Sequence, residues 1–289
     1  MLLHTKISNV LAENDPEAAI EQFREALANY DHLSDADRIS PKNKLSNAFT
    51  RIQLGLGLAE VLNFSGSIES IKRAREIYAE YAANDAADTS VQFKYALALS
   101  DEAETYAEML DPMLNPDQKD WRANAAKAVA LDQESLEIRT RLLKADPTNT
   151  RMSIDKAKIQ AYLGSLQNRL YPASGGAAIA AAGLSVLQTA ASQKDASILT
   201  LDYVTASMLE QPPSHQNPKL LVSYAERLVA LDHRKTARYL LTLSRAYAVD
   251  GQTAKARLTA SEGLALMPQL KAGKRITATR QSLLAQAHL

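Results

Sequence analysis

Apolar residues recur at spacings of three and four along almost the whole sequence, and alternation with a period of two is hard to find. This pattern predicts helices rather than strands, each with an apolar side that packs on a neighbour. One predicted apolar stripe consists of Phe93, Leu97, Ala103, Tyr106 and Leu110.

Residues that break helices punctuate this pattern at intervals. Proline suits the first turn of a helix and disfavours the residue before it, whereas glycine commonly ends a helix. The predicted boundaries are Asp15-Pro16, Ser40-Pro41, Ser65-Gly66, Asp111-Pro112, Asp146-Pro147, Tyr171-Pro172, Pro212-Pro213, Asp250-Gly251 and Met267-Pro268. About thirteen helices fit between them, so the predicted fold is all-α.

The helices are also predicted to repeat. Segments after the boundaries, of which Glu17–Leu27 is the clearest, begin with a small or apolar anchor and share one apolar rhythm. The anchors are Ala19, Ser70, Ser135, Ala178, Leu221 and Ala256. We predict one domain over 1–289, with approximate repeats over 1–40, 41–87, 88–149, 150–194, 195–235 and 236–270 and a capping helix over 271–289. Because one helix pair cannot bury its apolar stripe alone, neighbouring pairs must stack.

The last of these units resembles the tetratricopeptide-repeat (TPR) family. The residues that carry the resemblance are Leu240, Leu243, Tyr247, Gly251, Ala256, Ala260, Gly263 and Pro268. The resemblance implies a right-handed superhelix of antiparallel helix pairs whose concave groove binds a protein or peptide ligand. The anchors lie farther apart than the family's repeat of about 34 residues, so longer helices or inserted turns are expected in the middle of the chain.

Two segments, Gln133–Asn149 and Leu220–Pro268, are similar to helical repeat regions found C-terminal to bacterial serine/threonine protein kinases. That resemblance implies a sensing or docking region within a longer signalling protein. The sequence itself has no glycine-rich loop before a lysine-bearing strand, no His-Arg-Asp loop and no Asp-Phe-Gly, so the chain is expected to be non-catalytic. The alternatives are a stand-alone adaptor, a self-associating scaffold, and an all-α receptor or enzyme with a pocket between helices.

Composition and charge narrow the choice of partner. The 289 residues carry 33 basic and 33 acidic side chains, and only 6% are aromatic, which disfavours nucleic acid. Cysteine is absent, which excludes disulfides and thiolate metal sites. No apolar run reaches the length of about eighteen residues needed to span a bilayer, and Met1–Lys6 does not resemble a signal peptide. We expect a cytoplasmic protein if it stands alone, and an extracytoplasmic region if a membrane segment precedes it in a longer protein.

Candidate chemistry is sparse, and no catalytic, cofactor or metal residue is predicted. The five histidines are isolated, and a surface or loop role is expected for His4, His32, His215, His233 and His288. Gly55-Leu56-Gly57 begins like a dinucleotide-binding fingerprint, but Glu60 replaces the third glycine. Ser174-Gly175-Gly176 is interpreted as an ordinary helix start rather than an anion site.

Clustered charges and tyrosines are the remaining candidates. The acidic residues Asp101, Glu102, Glu104 and Glu108 are expected to form a solvated helix face. The basic patches Lys72-Arg73-Ala74-Arg75, His233-Arg234-Lys235 and Lys271, Lys274, Arg275 either balance charge or attract acidic peptides. The tyrosines at helical spacing are Tyr78, Tyr81, Tyr95, Tyr106, Tyr162, Tyr203 and Tyr247. Most should lie in the core and some could anchor a peptide, but the sequence does not separate the two groups, so no binding residue is named.

Overall fold

The structure, a computed structural model, describes residues 15–112, 114, 115, 117, 120–267 and 274–288, without the side chains of 213 and 274–277. Within these ranges the chain forms thirteen α-helices and one 3₁₀ turn, Pro213–His215, with no strand. The helices are α1 (Pro16–Asp31), α2 (Asp35–Ile39), α3 (Pro41–Glu60), α4 (Phe64–Asn84), α5 (Thr89–Glu108), α6 (Trp121–Ala145), α7 (Thr150–Leu170), α8 (Gly176–Ser192), α9 (Ile198–Leu209), α10 (Pro218–Leu231), α11 (Ala237–Val249), α12 (Thr253–Leu266) and α13 (Lys274–Ala287). The predicted all-α fold is confirmed.

Local chemistry explains where many helices begin. Pro16, Pro41 and Pro218 each occupy the first helical position, where the missing N–H costs nothing. The residue before each proline caps the helix; the side chain of Asp15, for example, accepts from the N–H of Ala18 at 3.3 Å.

Two boundaries differ from what the breakers indicate. The Ser65-Gly66 boundary is wrong, because this dipeptide lies in the first turn of α4 and the cap is Asn63, which accepts from the N–H of Gly66 at 3.1 Å. The start of α5 has neither proline nor glycine, and Asp88 caps it by accepting from the N–H groups of Ser90 and Val91 at 3.0 Å. Each of these two helix starts is therefore set by one polar capping side chain.

The contacts divide the chain into two compact units, described separately below. Unit 1 comprises Met1–Asp146 and Lys271–Arg275, and unit 2 comprises Pro147–Leu270 and Ile276–Leu289. The predicted first helix of repeat 1, His4, Pro268 and Lys271 lie outside the described residues, as do the side chains of Lys274 and Arg275. The division into six repeats of one domain and the superhelix stay predictions.

Unit 1 contains two antiparallel helix pairs, α3–α4 and α5–α6. Ser70 of α4 donates to the carbonyl of Arg51 at 2.8 Å, and nearer the connecting loop a Cβ atom added at Gly55 of α3 would lie 3.1 Å from the carbonyl oxygen of Ser67. In the second pair, Ser135 of α6 donates to the carbonyl of Ala96 at 2.8 Å. Because α5 contacts both α4 and α6, it is buried on several sides and its apolar residues do not form one buried stripe.

The predicted stripe on α5 is accordingly incomplete. Ala103 and Leu110 are buried, whereas Phe93, Leu97 and Tyr106 remain half-buried. Helices that pack on two sides bury residues around most of their circumference, which weakens the periodic signal.

Unit 2 contains the pairs α7–α8, α9–α10 and α11–α12, and the α7–α8 pair packs most closely. A Cβ atom added at Gly164 would lie 2.3 Å from the backbone nitrogen of Ala180. A Cβ atom added at Gly183 would lie 2.5 Å from the carbonyl oxygen of Ala157 and 2.5 Å from the nitrogen of Ala161. Contacts this short mean that backbone packs against backbone, which only glycine allows.

Several hydrogen bonds between successive helix pairs of unit 2 join residues that are the same number of positions apart in the sequence. Tyr224 of α10 donates to the carbonyl of Gln188 in α8 at 3.2 Å, and these residues are 36 positions apart. Asp202 of α9 and Arg238 of α11 are also 36 positions apart and are hydrogen-bonded. Arg227 and Ala191 repeat the same separation. Because the residue numbers rise together, corresponding helices of successive pairs run parallel.

Gly183→Ala tests the α7–α8 contact. Elsewhere in a helix, replacing glycine by alanine stabilises the protein by up to about 1 kcal/mol. Here the added methyl group would overlap the backbone of α7, so we expect the free energy of unfolding to fall by about 1–3 kcal/mol. Chemical denaturation followed by circular dichroism measures this change.

The control is Ala181→Ser, on the exposed side of the same helix. Its effect should stay within about 0.5 kcal/mol. A Gly183→Ala variant more stable than the parent would contradict the packing described here.

Candidate functional site

The histidines that the structure describes do not come together in a site. The described ones, His32, His215, His233 and His288, are exposed. Among the described residues no group of three or more His, Cys, Asp or Glu side chains is placed to hold a metal ion. His233 lies in the loop between α10 and α11 with a φ of 54°, and its N–H donates to the carbonyl of Ala230 at 3.1 Å.

The glycine motifs have structural roles. Gly55 and Gly57 lie inside α3, and a Cβ atom added at Gly55 would lie 2.4 Å from Cγ1 of Ile71. Gly175 is the residue before α8 and has a φ of 77°, which glycine adopts without strain. Gly55 therefore serves helix packing, and Gly175 serves the start of a helix.

The expectation of a solvated acidic face is wrong for Glu102. Only 4% of this residue is exposed, and its Oε2 atom lies 2.7 Å from Nε of Arg75 in α4. Arg75 belongs to the predicted basic patch that begins at Lys72. A carboxylate buried between two helices requires a cationic partner of this kind. Asp101 and Glu108 are half-buried and Glu104 is exposed.

The second basic patch is likewise held by carboxylates. Arg234 makes a two-pronged contact with Glu262 of α12, with Nε 2.5 Å from Oε1. The hydrogen bonds from Arg234 lower the pKa of Glu262. Asp232 accepts from the N–H groups of Lys235 and Thr236 at 2.9 and 2.8 Å. These contacts organise the α10–α11 loop and do not converge on a pocket.

The eleven tyrosines differ in how far their side chains are exposed to solvent. Tyr171 is exposed, at 56%, and Tyr78, Tyr224 and Tyr247 are buried. Half-buried tyrosines are Tyr30, Tyr81, Tyr95, Tyr106, Tyr162, Tyr203 and Tyr239. The half-buried group contains the residues able to present an aromatic surface to a ligand while remaining fixed by their neighbours.

A connected row of charged and aromatic side chains crosses the first helices of unit 2, namely α7, α9 and α11. The ammonium group of Lys158 in α7 lies 4.9 Å from the ring centroid of Tyr203 in α9. Beside Tyr203, the carboxylate of Asp202 accepts from both terminal nitrogens of Arg238 in α11, at 3.1 and 3.0 Å. The guanidinium of Arg238 lies 4.7 Å from the ring of Tyr239.

The electrostatics of this row follow from its geometry. The side chain of Asp202 is only 13% exposed, whereas that of Arg238 is 56% exposed. The anion therefore lies below the surface and the cation faces solvent. Burial raises the pKa of Tyr239, and the nearby carboxylate of Asp202 raises it further.

Further cations occupy the same sides of these helices. Arg245 is exposed and lies two turns beyond Arg238 on α11. On α7, Arg151 and Arg169 are exposed and lie seven and eleven positions from Lys158, hence on its side of the helix. The acidic residues of this side are Asp155, Asp202 and Glu210, and the side chain of Asp155 is only 11% exposed. We call the surface formed by Arg151, Lys158, Arg169, Tyr203, Arg238 and Arg245 the basic face.

Sequence reasoning identified only part of this face. Tyr203 is among the tyrosines that helical spacing singles out, whereas the periodicity does not indicate Asp202, Arg238 or Arg245. The sequence signal that could reveal this contact is the separation of 36 residues between Asp202 and Arg238. The periodicity of a single helix does not detect so long a separation.

No protein-family model matches this chain, and no curated protein matches it in sequence. Among solved structures, yeast Tom70 aligns with 95% of this chain and 61% of its own, at 13% identity and a TM-score of 0.32. The Naa15/Naa10 complex bound to HypK-THB aligns with 98% of this chain and 46% of its own, at 15% identity and a TM-score of 0.30. The P58(IPK) TPR domain aligns with 99% of this chain and 97% of its own, at 12% identity and a TM-score of 0.27.

This chain therefore spans less than two thirds of the Tom70 and Naa15/Naa10 chains. Because all three TM-scores lie below 0.5, the fold assignment rests on the chain's own helices. None of the described helices is long and apolar enough to cross a membrane. The described helices themselves define an all-α protein built from antiparallel helix pairs.

Tyrosine titration tests the described contacts. Burial raises the pKa of Tyr78, Tyr95 and Tyr247 to about 12, and hydrogen bonds to Glu134 and Glu226 contribute for the last two. Folding thus favours the neutral phenols, and this contribution to stability is complete below pH of about 10 and lost as the pH rises through about 12.

We expect the free energy of unfolding to fall over this alkaline range, as measured by denaturation at a series of pH values. Tyr247→Phe should make the decline less steep, because one of the three late-ionising groups is removed. A variant whose decline parallels that of the parent would contradict the assigned environment of Tyr247.

Proposed function

We propose that this chain is a non-catalytic protein-binding repeat module whose basic face binds an acidic segment of a partner protein. The observation that carries the proposal is the row that joins Lys158, Tyr203, Asp202 and Arg238 across three helices. Such a row presents cations at fixed spacing on rigid elements, which favours recognition of an extended chain.

The chemistry of the face favours carboxylates. Arginine binds a carboxylate through two parallel hydrogen bonds, and Arg238 and Arg245 are both exposed. Half-buried tyrosines beside them offer apolar contact area at little cost in conformational entropy. The carboxylates of Asp155 and Asp202 lie mostly below the surface, so the solvent-facing charge of this side is positive.

Nucleic acid is a poorer fit to the same face. The whole chain has a formal charge of zero, and carboxylates alternate with the cations along the row. A long polyanion would extend beyond the arginines to the exposed carboxylate of Glu210. A short acidic peptide fits the limited extent of positive charge better.

Arg245→Glu tests the proposal. The probe is a fluorescein-labelled peptide of about 15 residues rich in Glu and Tyr, compared with one in which Lys replaces Glu. We expect the acidic peptide alone to bind, and Arg245→Glu to weaken its binding at least about 5-fold, because a repulsive charge replaces an attractive one. Fluorescence anisotropy measures the dissociation constants.

The matched control is Arg257→Glu, an exposed arginine on the second helix α12. It makes the same change in net charge and should leave the affinity unchanged. Equal losses from both variants would mean that only overall charge matters, and the basic face would then not be the binding surface.

We further propose that this module is the sensing or docking region of a bacterial serine/threonine protein kinase. Support comes from the similarity of Gln133–Asn149 and Leu220–Pro268 to repeat regions that follow such kinases. The alternative is a stand-alone adaptor or scaffold.

The sequence of the gene distinguishes a kinase region from a stand-alone adaptor or scaffold. A kinase reading frame upstream of Met1 supports the sensing region, and an intervening apolar segment of about 20 residues would place it across a membrane from the kinase. A frame that opens at Met1 would overturn the kinase proposal and leave the adaptor.

A further inference from the structure

Helix α3 of unit 1 leaves a single stripe open to solvent. Between Asn43 and Glu60 every residue is buried or half-buried except Phe49 and Leu56, which are 42% and 39% exposed. These two residues lie seven positions apart and therefore share one side of the helix.

The other sides of α3 are covered by neighbouring helices. A Cβ atom added at Gly57 would lie 3.3 Å from Cγ1 of Ile20 in α1. Ile52 shares a buried cluster with Ala98 of α5 and with Ile71 of α4. The stripe of Phe49 and Leu56 is thus the side on which α3 has room for another partner.

The adjacent helix α5 carries carboxylates along one of its faces. Leu97, Asp101, Glu104 and Glu108 recur at spacings of four, three and four, so they follow one face, and Glu104 is exposed. Helices α3 and α5 both pack on α4, which runs antiparallel to each, so they are parallel to each other. Because Ser67 of α4 lies against both Gly55 of α3 and Thr105 of α5, Leu56 lies at the level of Glu104 and Glu108 near the end of α5.

We propose that the surface formed by Phe49, Leu56, Leu97, Asp101 and Glu104, here called the acidic-apolar face, binds a basic amphipathic helix. The stripe on α3 matches apolar side chains at positions i, i+3 or i+4, and i+7 of such a helix. The carboxylates of α5, together with Glu60 of α3, match flanking Lys and Arg residues.

Charge also sets the orientation of the bound helix. The acidic residues Glu60, Asp101, Glu104 and Glu108 lie toward the C-terminal ends of α3 and α5, whereas Lys42 and Lys94 lie toward the N-terminal ends. The basic end of the partner helix therefore lies beside Glu104. This proposal is independent of the basic face, which belongs to unit 2 and has the opposite charge.

The full chain tests the proposal with two labelled helical peptides of about 18 residues, one of Leu and Lys and one of Leu and Glu. We expect the Leu/Lys peptide to bind and the double substitution Phe49→Ser, Leu56→Ser to weaken it at least about 10-fold, which is about 1.4 kcal/mol. Glu104→Lys should weaken the same peptide and leave the fold unchanged.

Two controls make the result specific. Leu258→Ser changes a leucine that is 73% exposed on α12 and should leave Leu/Lys binding unaltered. Arg245→Glu should also leave it unaltered, so loss of the basic face and loss of the acidic-apolar face are measured separately. Circular dichroism checks that each variant keeps its helix content and unfolding midpoint.

Binding of the Leu/Lys peptide that is insensitive to the double substitution would overturn the proposal. So would equal affinity for the Leu/Lys and Leu/Glu peptides, because the carboxylates of α5 would then contribute no selectivity.

Discussion

The distance between the two helices of a pair determines how the described helices pack. In unit 2, Gly164 and Gly183 bring α7 and α8 into backbone contact, and the small residue Ser244 of α11 donates to the carbonyl of Ala256 in α12 at 2.8 Å. Small residues at these positions fix both the distance and the register of each pair. Large side chains then fill the space beside these close contacts, and a continuous apolar cluster of unit 2 joins one pair to the next.

Unit 1 uses polar contacts for the same purpose. Arg139 of α6 is only 1% exposed and donates to the carbonyl of Ala96 at 2.9 Å, while its guanidinium lies 5.6 Å from the ring of Phe93. Ser135 donates to the same carbonyl. Buried polar contacts of this kind lose their hydrogen bonds when a helix slides, whereas apolar contacts tolerate sliding. The α5–α6 register is therefore specified by hydrogen bonds, at a location where the breakers in the sequence are few.

The sequence predicts the helices well and the surfaces poorly, for different physical reasons. Pro16 and Pro41 act locally, so their effects are visible without a structure, and the polar caps Asn63 and Asp88 are ambiguous only because Asn and Asp occur at many other positions. The burial of Glu102 depends on Arg75, 27 residues earlier, and the exposure of Phe49 depends on which sides of α3 its neighbours cover. Such properties are set by tertiary contacts, which the periodicity of one helix does not encode.

The Asp202–Arg238 contact has a mechanical consequence. It bridges first helices of two successive pairs on the surface proposed to receive a carboxylate, and Arg238 is the exposed member. A carboxylate bound at Arg238 competes with Asp202 for the same hydrogen-bond donors, so occupancy and the spacing of α9 and α11 are thermodynamically linked. Any force or neighbouring domain that flexes unit 2 then alters ligand affinity, and any ligand alters the stiffness of unit 2. If the basic face binds the ligand as proposed, the same contact acts as a hinge whose stiffness the bound ligand changes.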